Sequence, residues 1–186
     1  NDERFGMEVA LNHDGTMLAV ASPYWGTGET GRVNIYEYDG SSWSRIGGNI
    51  VGEDDDLGDY NRGNRPMFFN AKGNIIALGE PEYETTLDAG SDSDHGIAYV
   101  YKRNGNSWVQ LGSDLSGGNF TGGNFGGSVA LSAEAEWLAV SEVGWEDDPL
   151  ENIYGRIYVY HWEGASPDWV LKSSIDGKDS GSFSRV

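Results

Sequence analysis

The chain has 186 residues, enough for one domain with a sizeable core, and its 28 glycines and mean hydropathy of −0.51 mark it as rich in loops. Seven Trp and ten Tyr exclude a solvated, disordered chain, because so many rings need partners. Thirty acidic against twelve basic side chains give a formal net charge of −18, which repels phosphate backbones and anionic headgroups and argues against nucleic acid and acidic membranes as partners.

There is no cysteine, which removes disulfides and thiol chemistry without fixing the compartment. No apolar run approaches the roughly 20 residues of a membrane-spanning helix. Asn1 opens the chain without a methionine or a hydrophobic leader, which reads as a processed or trimmed piece of something longer.

In chain order, the first landmark is Phe5-Gly6-Met7-Glu8-Val9-Ala10-Leu11, followed by Met17-Leu18-Ala19-Val20-Ala21-Ser22-Pro23. A weaker version runs from Gly63-Asn64 through Met67-Phe68-Phe69 to Ile75-Ile76-Ala77-Leu78-Gly79-Glu80-Pro81. The clearest is Phe125-Gly126-Gly127-Ser128-Val129-Ala130-Leu131 with Trp137-Leu138-Ala139-Val140-Ser141. Each is followed by a glycine that opens an apolar run: Gly31 before Val33-Asn34-Ile35-Tyr36, Gly96 before Ala98-Tyr99-Val100-Tyr101, Gly155 before Ile157-Tyr158-Val159-Tyr160. Trp43, Trp108 and Trp169 keep the same period of about 60 residues, which is the signature of a repeat architecture.

Each unit predicts four short strands bounded by turn residues, and no segment has a helical period. In the first unit they are residues 9–11, 17–21, 32–38 and a fourth run carrying Trp43. Asp39-Gly40 and Asn104-Gly105 predict tight hairpins of type I′, in which both central residues have positive φ. In the third strands, Val33 and Ile35 fall on one face and Tyr36 on the other, with Tyr101 and Tyr160 at the matching places. Two apolar faces predict sheets sandwiched between other sheets, with the tryptophans packing in register with the fold.

This order of motifs resembles the FG-GAP repeats of β-propellers, the family that includes the head of integrin α subunits. The resemblance implies an all-β fold in which four-stranded antiparallel sheets, repeated about every 60 residues, form the blades of a partial or open propeller. The units are expected over residues 5–62, 63–124 and 125–182, with a fourth starting at Phe183. Calcium-binding members of the family place alternating Asp and Asn ligands in the turn between first and second strands. Here those turns are Asn12-His13-Asp14-Gly15, Asn70-Ala71-Lys72-Gly73 and Ser132-Ala133-Glu134-Ala135, too short and too poor in carboxylates for a cation that wants several oxygens. The departures Gly63-Asn64 and Val143 mark where the family pattern weakens.

Acidic runs at Glu53 to Asp56, Asp88 to Asp94 and Glu146 to Asp148 read first as solvated loop charge. Within the second run, Asp88, Asp92 and Asp94 offer alternating oxygens that would suit calcium; no other cofactor is expected. His13, His95 and His161 lie at unrelated places, and no nucleophile motif occurs, so no enzyme is expected. Asn119-Phe120-Thr121 is an acceptor triplet for an N-glycan in a secreted protein.

Three units are too few to close a ring, since closed propellers have about four to eight blades. These features predict an extracellular or cell-surface structural or adhesive module working through protein contacts, with further repeats or other copies of itself as partners. Self-assembly into a larger ring or filament follows from the incomplete ring. The alternative is a carbohydrate- or cation-binding module using the acidic loops between second and third strands.

Overall fold

Alternation of apolar and polar residues folds locally into extended chain, because successive side chains on a strand point to opposite faces. The computed structural model describes residues 3–26, 30–51, 66–83, 95–118, 122–144, 155–164 and 168–177. The first unit supplies β1 (Val9–Leu11), β2 (Met17–Ser22), β3 (Arg32–Tyr38) and β4 (Trp43–Val51). The second supplies β5 (Met67–Phe69), β6 (Ile75–Glu80), β7 (Ile97–Asn104) and β8 (Ser107–Gln110). The third supplies β9 (Phe125–Leu131), β10 (Trp137–Glu142), β11 (Arg156–Trp162) and β12 (Trp169–Asp176). Each set forms one antiparallel sheet with its four strands in chain order. No helix of the described residues is long and apolar enough to cross a membrane.

The turn between first and second strands is built the same way three times. Asn12 Oδ1 accepts from the Met17 N–H (2.9 Å), Asn70 Oδ1 from the N–H groups of Asn74 and Ile75 (3.1 and 3.0 Å), and Ser132 Oγ from those of Glu136 and Trp137 (3.1 and 3.0 Å). A side-chain oxygen thus serves the backbone donors that the tight turn leaves without a strand partner. Hairpins form at both places the sequence indicates, with a different turn geometry. Asn104 pairs with Ser107, so Gly105 and Asn106 are the central residues, and only Gly105 has positive φ (61°). Positive φ at the first central residue alone is the II′ pattern, which fits the twist of the strands as well as I′ does.

Two cores hold the three sheets. Between the first and second, Met17, Val33, Ile35 and Ile46 meet Phe69, Ile76 and Leu78. Between the second and third, Ala77, Ala98 and Val100 meet Phe125, Leu138, Val140 and Tyr158. Each fully buried Val, Leu, Ile or Phe contributes about 1.5–3 kcal/mol, so these two layers are the main source of stability. The middle sheet packs against a sheet on both faces, as the sequence predicts, whereas among the described residues each outer sheet packs against another sheet on one face only.

That difference corrects the expectation for the tryptophans. Trp169 is buried in the second core and Trp108 packs against Phe69, with ring centroids 6.3 Å apart. Trp43 occupies the same place in the first sheet yet stands exposed, its ring tilted against Tyr38 with centroids 5.2 Å apart. Among the described residues no sheet precedes that face.

Candidate functional site

The repeat makes equivalent positions directly comparable. Every sheet has a leading face, turned toward the sheet before it in the chain, and a trailing face, turned toward the one after. On the leading faces of the second and third sheets, Met67, Phe69, Val129 and Leu131 of the first strands are buried. The matching residues of the first sheet, Val9 and Leu11, lie in the open: Leu11 is 58% exposed against 7% for Leu131. The trailing faces behave alike. Ile50, paired with Val33, is 8% exposed in the first sheet, whereas Ile175, paired with Ile157, is 63% exposed in the third.

The joint between sheets is where the Phe-Gly motif acts. Phe125 donates its N–H to the carbonyl oxygen of His95 (3.0 Å) and pairs in parallel with Gly96. Its ring meets Tyr158 edge-on at 5.3 Å and is completely buried. Gly126, at φ +88°, lies so close to Gly79 that a Cβ built on Gly79 would stand 2.0 Å from the Gly126 carbonyl oxygen. The motif is therefore a connector: glycine lets two backbones touch while the phenylalanine enters the core. Phe5 and Gly6 repeat it, the Gly6 N–H bonding the Ala21 carbonyl of their own sheet (3.0 Å), with no preceding sheet among the described residues. Gly6 has φ +90°, yet Phe5 is 56% exposed and touches Tyr36 at 6.5 Å.

Charge pairs rim both joints. Arg103 of β7 grips Glu37 of β3 with two bonds of 2.9 and 3.0 Å, and that guanidinium holds the Glu37 carboxyl below its usual range. Lys72 reaches Glu134 at 2.6 Å between the turns of the second and third sheets, beside a backbone bond from the Ala71 N–H to the Ala133 carbonyl (3.0 Å). Exposed pairs of this kind contribute at most about 1 kcal/mol, so they set register more than strength.

A layer of buried polar residues closes the ends of the second strands: Ser22, Glu80 and Glu142, one per sheet. Glu142 is fully buried. Its Oε2 accepts from the Tyr158 hydroxyl at 2.5 Å and from the Gly118 N–H at 3.5 Å, while Oε1 lies against Gly117 with no hydrogen bond among the described residues. Burial pushes the Glu142 carboxyl up, against the Tyr158 bond and the nearby positive charge of Arg156, which pull it down. Burial and the Glu142 carboxylate push the Tyr158 hydroxyl up to about 12. Such a group can hold a proton, but with no exposed surface it cannot present one to a substrate. The sequence signal was an apolar strand running straight into Glu80 or Glu142.

Asp88, Asp92, Asp94 and Asn119 lie outside the described residues, as do the acidic runs around Asp54 and Asp147, residues 63–65 and Phe183. The histidines do not gather at one place: His13 is exposed in a turn, His95 precedes β7, and His161 meets Trp137 at a 60° tilt, ring centroids 4.5 Å apart, on the third sheet's trailing face. The oxygens of Asn12, Asn70 and Ser132 in the short turns are occupied by their own backbone.

No protein-family profile matches this sequence, and no curated protein matches it significantly. Among solved structures, the chain is similar to a protein named provisionally as a 6-phosphogluconolactonase from Bacteroides uniformis, with a TM-score of 0.54 at 10% identity. The match covers 89% of this chain and 39% of that one. A structure from a study of two prolyl endopeptidases matches 88% of this chain and 21% of its own, at 17% identity and a TM-score of 0.46. The chain thus spans about two fifths of the first structure's length, and at that identity the likeness is one of fold: three consecutive four-stranded antiparallel sheets packed face to face.

Proposed function

We propose that this chain is a non-catalytic structural or adhesive module, built from FG-GAP-type propeller blades without the family's calcium loop, that acts through protein contacts on its two open sheet faces. The observation that carries this reading is the exposure of positions that the same fold buries elsewhere in the same chain: Leu11 against Leu131, Ile175 against Ile50, Phe5 against Phe125. Contiguous apolar surface on a soluble protein marks a place where another surface belongs. An extracellular setting is supported by the Asn119 acceptor triplet.

Hydroxyl-radical footprinting of the protein in its native source material tests the reading. Val9, Leu11, Ile157 and Ile175 are expected to be protected there and reactive in the dilute purified chain. Equal reactivity in both would overturn it. Calorimetry with calcium and a glycan array are expected to be silent, and a saturable signal in either would favour a cation- or carbohydrate-binding module.

A further inference from the structure

The two open faces are the two halves of one joint, which the chain already forms twice. A trailing face offers small or β-branched residues: Ala19, Val33 and Ile35 in the first sheet, Ala77, Ala98 and Val100 in the second. The third sheet continues the series with Ala139, Ile157 and Val159 on its free side. A leading face offers larger groups: Phe69, Leu78 and Tyr101 in the second sheet, Leu131, Val140 and Tyr160 in the third, and, on the first, the exposed Leu11 and half-buried Tyr36 beside Val20, which is already buried. Resting on the reading of these faces as protein-contact surfaces, we propose that the occupant is a second copy of this chain docked head to tail, its leading face on the third sheet of the first copy.

The connector is preset for this. Gly6 and Gly126 share their backbone conformation, at φ +90° and +88°, and Gly155, at φ +70°, stands where Gly96, at φ +74°, receives Phe125. Ser141 replaces Gly79, so the new joint must open by the thickness of a side chain. The first joint already does so, with Ala21 at that position. Docked this way, the described sheets of two copies number six, within the range of about four to eight that closed rings use. Such contacts are heterologous, each face meeting the other kind rather than itself.

Sedimentation velocity of the full chain in about 0.5 M salt, where screening lengths fall to a few Å, tests this. The wild type is expected at the mass of two or more copies. Val9→Lys with Leu11→Lys ruins only the leading face, and Ile157→Lys with Ile175→Lys only the trailing face, because a lysine buried without a partner opposes docking. All four positions are exposed, so circular dichroism spectra and melting are expected to stay those of a folded chain. Each variant alone is expected at the mass of one copy, and an equimolar mixture at two, since one intact face of each kind remains. A wild type at the mass of one copy, a variant that still pairs with itself, or a mixture that stays at one copy would each overturn the proposal. If the wild type is single while footprinting shows both faces covered in the source material, head-to-tail pairing fails and the protein-contact reading stands. Uncovered faces remove both.

Discussion

At Glu142, burial outweighs the hydrogen bond and the positive charge that favour a carboxylate. A group whose folded value lies above its ordinary one, near 4.5, binds its proton more tightly in the folded state, so stability falls as pH rises from that value through the raised one. Glu142→Gln keeps an acceptor for Tyr158 and removes the buried charge. The variant is expected to melt higher than the wild type at pH 8, with the gap narrowing toward pH 4.5; a gap independent of pH would mean that Glu142 is comfortably ionised in the fold. The neighbouring Tyr158, pushed up to about 12, remains a donor throughout this range. Glu142 was visible in the sequence only as a charge at a strand end. Its chemistry depends on Gly117 and Tyr158, 25 and 16 residues away along the chain, which no local pattern connects to it.

Among the elements, the first strands show best what packing adds to pattern. β1 and β9 share the alternation Val-Ala-Leu at Val9–Leu11 and Val129 to Leu131, and both pair with their second strands in the same register. Of the two, β9 buries its apolar residues because the second sheet lies in front of it, whereas among the described residues no sheet lies in front of β1. Leu131→Ala is therefore expected to destabilise the chain by about 2–4 kcal/mol, through lost burial and the cavity left behind. Leu11→Ala in the dilute chain at low salt is expected to change stability by about 0.5 kcal/mol or less, as exposed substitutions do. Urea denaturation of the two variants decides the point; equal losses would show that something covers Leu11 even in the single chain. Strand existence and order were legible from the triplicated motifs. The hairpin at Asn104 was legible too, but its turn type was not, because the paired residues set which two positions become central.

For the whole molecule, net charge opposes the association that shape favours. Each copy carries −18, and at a head-to-tail joint Asp14 and Glu134 would occupy the positions at which Lys72 and Glu134 attract each other in the second joint. Apolar contact favours docking and is little affected by moderate salt, while repulsion between solvated charges is screened within about 10 Å at 0.1 M and about 3 Å at 1 M. Association is therefore expected to strengthen by a factor of ten or more between about 0.05 and 0.5 M salt, read as the dissociation constant from sedimentation. Weaker association at higher salt would mean that ion pairs, not apolar faces, hold the copies. Acidity was read from composition at once. Its role as a brake on a particular joint required knowing which turns face each other.

The sequence by itself determined the period, the four strands of each unit, their order and the alternation that gives every sheet two apolar faces, because these follow from short-range rules of chain geometry and turn chemistry. Only the tertiary structure decided which of those faces are used. Phe5-Gly6 and Phe125-Gly126 carry the same local instruction and adopt the same backbone, yet one ring is buried and the other waits in solvent. Burial is a relation between a residue and whatever stands opposite it, and residues with identical local patterns differ wherever their neighbours across space differ.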